Sequence, residues 1–459
     1  MIQSPFTVVA TATKTLQDQY CNDFDDTVKL IGRNNFPCTR LNGHSAAEGL
    51  CMIEPGIACK SPWYEQEEAF YDTRNKVVVT NYSMLLMDIL YGKRYYLRRP
   101  HLLVLDECHK LIDILTDTER IELDYAKLEE VGICPPKKEE LDSLDYMTQW
   151  SVDCLERDYN ESGMGSQSQG QSLKKRLLRQ KLLSEIERIQ MLPTTDSSSV
   201  IRMDDNTVSL TPLWPTRSYQ ALMESANVVL MMSATPVSEK LLTYMLTTSP
   251  VTSESYRELT LPSPFETWRS PVYYQPVVAL SSTSSAQDWS TMSQKVHELI
   301  HAREGDKGVV HVASHRQVDI LSVPFLRCQP CRKRLLRLRI GEKREELLFK
   351  FRSSRDSILI HPGVGEGESF DDEHCRFQII AKVKYPDLSD PVIKTRSQDV
   401  VIGSDYYFGT AARNVVQAVG RGMRHEGDYC ETFILDGSFG QLYDRNRSAF
   451  PVWFRDLLH

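Results

Sequence analysis

The chain has 459 residues, 41% hydrophobic and 25% charged, an ordinary globular balance long enough for roughly three domains with cores of their own. No apolar run reaches the roughly 18 residues of a membrane span, and the start "MIQSPFTVVATATK" lacks the pattern of a secretory signal, so the expectation is an intracellular protein without a membrane partner. A net charge of -8 argues against a uniformly basic nucleic-acid coat, and eleven cysteines in such a chain read as thiols or metal ligands rather than a disulfide framework.

Strand-like apolar runs occur at Thr7–Ala10, Val77–Thr80, Leu102–Leu105, Val228–Met232, Gly308–Val312, Ile358–Ile360 and Phe377–Ile380, with helical patterns between several of them. This alternation predicts an α/β protein with parallel sheets. Cys21 to Tyr71 is rich in Gly, Pro, Asn and Cys and reads as a loop-dominated insertion that needs a staple. Leu111 to about Ala226 reads as helical and charged, with "ESGMGSQSQGQS" as a flexible tip. "PVSEKLLTYML" after Thr235 predicts a helix closing the first sheet domain; the Pro- and Ser-rich passage beyond it marks a linker to a second α/β domain. Two basic tracks, Leu173 to Lys181 and Arg332 to Arg344, read singly as solvated helix faces, with a nucleic-acid track as the alternative. "CQPC" at Cys328 to Cys331 has the spacing of half a zinc site; with no second pair nearby it reads as two free thiols.

"LLVLDECHK", Leu102 to Lys110, joins a buried strand to two acids, and chemistry in parallel sheets sits just beyond the strands' carboxyl ends. Asp106 can hold a magnesium ion through water while Glu107 orients and deprotonates an attacking water. The alternative is a helix N-terminus, where acids favour the dipole.

The short motifs, taken in order, resemble those of the XPD/DinG family of superfamily-two DNA helicases over nearly the whole chain. "VVATATKTLQDQY" (Val8–Tyr20) looks like motif Ia, "GRNNFPC" (Gly32–Cys38) like the start of the iron–sulfur insertion, and "VVVTNYSMLL" (Val77–Leu86) like the strand-turn before motif II. "LDECHK" then looks like motif II, a DECH variant of the DEAH box, and "MMSATP" (Met231–Pro236) like motif III. "GVVHVASHRQVDIL" (Gly308–Leu321), "ILIHPGVGEGESFDD" (Ile358–Asp372) and "QAVGRGMRHEGD" (Gln417–Asp428) look like motifs IV, V and VI.

The resemblance implies two RecA-like parallel-sheet domains, ATP and Mg2+ as cofactors, and single-stranded DNA as partner, with translocation 5′ to 3′. The first domain, 1–250, would carry a Cys-rich iron–sulfur-like insertion over 21–75 and a helical arch over 111–226; the second, 251–459, would carry motifs IV to VI. Glu107, Arg421 and Arg424 would be catalytic. Asp106, His109, Ser233, Thr235, Gly367, Gln417 and Gly420 would serve the nucleotide, and Thr11, Thr13 and Lys14 the DNA backbone. A helix N-cap is the plainer reading of Ser233 and Thr235, and a strand-to-helix turn that of Thr11 to Lys14. Cys38, Cys51 and Cys59 fit a possible [4Fe-4S] cluster, with zinc or plain thiols as alternatives and Ser61 standing where the fourth cysteine is expected.

Two departures temper the resemblance. No G-x-x-x-x-G-K-[ST] occurs, so the phosphate cradle expected ahead of motif Ia is missing, and motif V reads "EGES" at Glu366 to Ser369 where Glu-Gly-Val-Asp is common. The expectation is an N-terminally incomplete helicase whose P-loop comes from an upstream segment or a separate chain, or a non-catalytic nucleic-acid-binding or regulatory remnant. Its place would be the cytoplasm of a prokaryote or virus-infected cell, or the nucleus of a eukaryote.

Overall fold

Apolar runs too short to be helices pair in register to make the sheets of the computed structural model, which describes residues 6–52, 60–72, 77–91, 99–141, 143–163, 172–192, 198–235, 237–246, 257–337, 343–362, 375–423 and 425–459. Contacts divide the chain into two units. The first holds β1 (Thr7–Thr11), β2 (Thr27–Lys29), β3 (Val77–Asn81), β4 (Leu102–Asp106), β5 (Ile121–Asp124), β6 (Ser199–Asp204), β7 (Thr207–Pro212) and β8 (Val228–Met232). Strands β2, β3, β1, β4 and β8 form one all-parallel sheet in that spatial order. Val8, Val9, Val78, Val79, Leu103 and Leu105 are buried along its centre, which is why these strands read as unbroken apolar runs. Among the described residues β8 is an edge, and it leaves Val228 52% and Leu230 45% exposed.

The stretch from Leu111 to Ala226 is less helical than its charge pattern suggests. Besides the helices Leu144–Gly163 and Leu173–Ile189, it contains an antiparallel sheet ordered β5, β7, β6. The alternation in "TVSL" places Val208 and Leu210 in a core with Ile121, Leu123, Met147 and Ile186. Asp205, at φ 44°, makes the tight turn between β6 and β7. Such short polar-flanked strands carry too weak a period-2 signal to compete with two long helical patterns. The stretch expected to form a flexible tip falls mostly at residues 164–171, outside the described ones. In the basic track at its side, Arg179 pairs with Asp158 at 2.7 Å and donates to the Val131 carbonyl at 2.6 Å, a structural use of one of its cations.

Cys21 to Tyr71 also holds more order than expected. Cys21 lies on the helix Lys14–Asp23, and Pro62–Tyr71 is a helix capped by Ser61, whose hydroxyl accepts from Trp63 N.

The second unit holds β9 (Val272–Val278), β10 (Gly308–His311), β11 (Leu335–Arg337), β12 (Ile358–His361), β13 (Phe377–Ile380) and β14 (Glu431–Asp436) in a parallel sheet ordered β11, β12, β10, β13, β14, β9. A Cβ on Gly308 would fall 2.3 Å from the Phe377 ring, so only glycine lets β10 and β13 pair here. Among the described residues no helix is long and apolar enough to cross a membrane.

Candidate functional site

In the first unit the chemistry collects where β4 ends. After Asp106 the backbone swings into the left-handed region at Glu107 (φ 55°, ψ 41°), then makes a short turn over Cys108–Lys110 into the helix Leu111–Glu119. A non-glycine residue there is uncommon and costs energy, a signature of sites that need a side chain held in one place. The α-helix begins beyond the two acids, and Glu107 occupies the capping position of the short turn that leads into it.

Three groups fix Asp106. Its Oδ1 accepts from Glu107 N at 2.9 Å, its carboxylate takes a hydrogen bond from Tyr20, and its backbone carbonyl takes one from the buried Tyr82 hydroxyl at 2.7 Å. Burial, then the Glu107 charge, hold the Asp106 carboxyl above the usual range, and burial followed by Asp106 pushes Tyr20 up to about 12. A cation beside Asp106 would reverse that first shift, so the carboxylate is set to gain from binding one. His109 is buried, with Nδ1 3.0 Å from Glu107 Oε2 and 2.9 Å from Ser233 Oγ. Motif II and Ser233 of motif III are thus joined through one imidazole nitrogen.

Ser233 and Thr235 do not cap the following helix. It runs from Glu239 to Leu246, and Ser238 accepts from Leu241 N in the capping position. Thr11 is fully buried and donates to Thr13 O at 3.0 Å; Thr13 caps the helix Lys14–Asp23 by accepting from Leu16 N. These two make the strand-to-helix turn, while Lys14 is exposed and donates to Asn35 Oδ1 at 2.5 Å.

In the second unit Gln417 lies near the end of the helix Gly403–Val419, and Gly420 and Arg421 follow in a tight turn. Gln378, buried on β13, meets His311 Nε2 at 2.9 Å and donates to the Val419 carbonyl at 3.1 Å. Burial, with the Arg421 charge as a smaller cause, brings His311 down to about 4 against the pull of the Gln378 bond. A small cavity of about 60 Å³ opens at the strand ends, lined by His311, Pro362, Lys382, Lys384, Asn414 and Gln417. Lys382 is held by Asp436 at 2.8 Å and the Leu280 carbonyl at 2.7 Å. Arg424, Gly367 and motif V from Gly363 to Asp372 lie outside the described residues.

Residues 296–457 match the helicase C-terminal domain family. A solved XPD helicase structure superposes with TM-score 0.60 at 14% identity, covering 97% of this chain and 90% of that one. Xpd4 of S. tokodaii superposes with TM-score 0.59 at 12% identity over 99% and 90% of the two chains. In sequence, a regulator of telomere elongation helicase 1 homolog of Aedes aegypti is 31% identical over 106 residues, 21% of this chain and 10% of that protein. The Drosophila grimshawi homolog is 34% identical over 86 residues, 17% and 9% of the two chains. Residues 296–457 thus resemble a helicase C-terminal domain, the fold is similar to that of the XPD structures, and the chain spans about a tenth of the length of the curated relatives it matches.

Four cysteines and two histidines of the chain form two groups. Cys38 and Cys51 converge, each sulfur within 3.4 Å of the place a Cβ on Gly49 would take. Ser61 is committed to capping Trp63 and donating to the Pro37 carbonyl at 3.1 Å; Cys59 lies outside the described residues. Cys21 packs against Val9, Val79 and Val104 of the first sheet and so does not complete the set. Among the described residues two of the three expected cysteines thus meet, and no four-thiolate set is shown. Among the described residues no cysteine forms a disulfide.

The second group gives Cys328 and Cys331, read as two free thiols with no second pair nearby in sequence, a pair of histidines nearby in space. His297 and His301, at the end of the helix Ala286–His301, bring two imidazoles to the same spot, and one donor atom from each of the four residues lies within 4.8 Å of the others. The pairs are distant in sequence, so no local motif exposes them.

Sequence reasoning also misses Tyr20, Tyr82, His311 and Gln378. Gln378 had a signal, as a lone amide inside the buried strand "FQII". The tyrosines act through tertiary contacts that no spacing reveals.

Proposed function

We propose that the chain is an ATP-driven DNA motor, in which hydrolysis at the end of β4 is coupled to translocation along single-stranded DNA, 5′ to 3′, with duplex opening as the result. What supports this most is the convergence of Asp106, Glu107, His109 and Ser233 at the carboxyl end of a parallel strand. Asp106 would hold a magnesium ion through water, and that ion supplies neutralising charge for phosphoryl transfer. Glu107 would orient a water molecule and take its proton. His109 then gives the site a readout: Nδ1 carries one hydrogen at most, so a change in what Glu107 holds alters its bond to Ser233.

Arg421, with Arg424 beyond it, would stabilise charge on the transferring group, with Gln417 and the Gly420 and Gly367 backbone against the nucleotide. Lys14 and Thr13 would take the DNA backbone, with Thr11 supporting them from inside. The setting that goes with this activity is the nucleus of a eukaryote or the cytoplasm of a prokaryote.

A nucleic-acid-binding protein without nucleotide turnover is the second reading. It is favoured by the departure at Glu366 to Ser369, where the sequence reads "EGES" in place of the common Glu-Gly-Val-Asp. ATP hydrolysis with and without single-stranded DNA, measured beside DNA binding, separates the two. Stimulated turnover that disappears in Glu107→Gln supports the motor. DNA binding without turnover supports the second reading, and turnover that survives Glu107→Gln removes Glu107 as the base.

A further inference from the structure

His297 and His301 sit one helical turn apart, so both rings leave the same face of their helix, stacked with centroids 5.8 Å apart. His297 is wedged edge-on against Phe325 at 5.2 Å, and its Nε2 is buried with no hydrogen-bond partner among the described residues. Cys328 closes the helix His315–Arg327, and Cys331 is buried on the next short helix, Gln329–Arg334. His301 Nδ1 lies 3.5 Å from Cys331 Sγ and 3.9 Å from Cys328 Sγ.

These spacings have a chemical meaning. A tetrahedral zinc ion with Zn–S near 2.3 Å and Zn–N near 2.0 Å requires donor atoms roughly 3.3 to 3.8 Å apart along each edge. Two thiolates and two imidazoles in a closed set match zinc better than a hard cation, which takes oxygen ligands. We propose that His297, His301, Cys328 and Cys331 bind one zinc ion, a structural site in the second unit that is independent of nucleotide turnover.

The surroundings give such an ion something to hold. A six-residue helix has too few internal hydrogen bonds to stand alone. Arg334, 6% exposed, already ties its end down by donating to the carbonyls of Ile300, Arg303, Asp306 and Asp356. Zinc would pin its other end to the histidine helix. It would thereby fix the start of the basic track, where Arg332 and Lys333 are exposed.

The test is metal analysis of the full chain after reconstitution with zinc and removal of excess, with Co2+ substitution as a spectroscopic probe of a tetrahedral sulfur-containing site. The expected result is about one zinc per chain attributable to this site, falling to under about a tenth in Cys331→Ser and in His301→Ala. The double variant Cys38→Ser/Cys51→Ser should keep it, which separates this site from the other cysteines. Circular dichroism reports whether Cys331→Ser folds; if it does not, His301→Ala, altered at an exposed position, decides. Zinc absent from the wild-type chain together with no tetrahedral Co2+ bands overturns the proposal. So does zinc that stays in folded Cys331→Ser and His301→Ala but leaves with Cys38 and Cys51.

Discussion

His109 Nδ1 and Ser233 Oγ stand 2.9 Å apart although 124 residues separate them in the chain. Strands β4 and β8 pair along their whole length, Leu102 to Val228 through Asp106 to Met232, and this register delivers the two side chains to the same end of the sheet. If the contact transmits the state of the site, His109→Ala and Ser233→Ala should not act independently. A double-mutant cycle on DNA-stimulated turnover is expected to show a coupling of about 1 kcal/mol. Effects that add to within about 0.3 kcal/mol would mean that the contact is only packing.

Glu107 occupies a left-handed backbone position that a residue without a Cβ adopts freely. Glu107→Gly is therefore expected to keep the stability of the parent to within about 1 kcal/mol, whereas Glu107→Val loses about 1 to 2 kcal/mol more than the glycine variant. Both should lose hydrolysis. Urea unfolding compares the pair, and equal midpoints would show that the turn relaxes without cost.

His311 and His361 are each lowered to about 4, by burial first and then by Arg421 for His311 and by Arg344 and His315 for His361. The native state then takes up these protons only near pH 4, while the unfolded chain does so near 6.5. Their contribution is fully present above pH 6.5 and is lost as pH falls from 6.5 towards 4, by roughly 2 kcal/mol per histidine at pH 5. Unfolding at pH 7 and pH 5 should show this loss, and His361→Phe should remove about half of the histidine part. A variant with the same pH dependence as the parent would contradict it.

Gly420 and Gly422 flank Arg421 but differ in their surroundings. A Cβ on Gly420 meets nothing within 4 Å, whereas one on Gly422 would fall 2.4 Å from Cys430 Sγ and 3.1 Å from Gln378 Nε2. Gly420→Ala is expected to change stability by less than about 0.5 kcal/mol, and Gly422→Ala to cost about 1 to 3 kcal/mol and displace Arg421. Thermal unfolding of the two variants checks the contrast, and equal losses would refute the close approach.

The strands that carry motifs II, IV and V were legible because parallel strands covered on both faces must be apolar along their length, as in "LLVL" and "ILI". Others escaped for identifiable reasons. Strands β2 and β11 are three residues long, and β9, "VYYQPVV", leaves Gln275 and Pro276 exposed, so neither length nor periodicity marks them. At the site, residue type and order pointed to Asp106 and Glu107, but the hydroxyls of Tyr20 and Tyr82 are placed by packing. The histidine and cysteine pairs illustrate the same limit, since Cys328 and His301 lie 27 residues apart and meet only when two helices dock.

The side of β8 that no described strand covers has a practical consequence for anyone handling this polypeptide. A strand edge presents unpaired backbone amides and carbonyls, and here they run beside half-exposed Val228 and Leu230 rather than charged or proline gatekeepers. In concentrated solution a border left in that state would be adhesive, ready to accept a strand from a neighbour. A lysine at position 228 or 230 would make it less so, and would tell a biochemist whether poor yield comes from this border or from elsewhere.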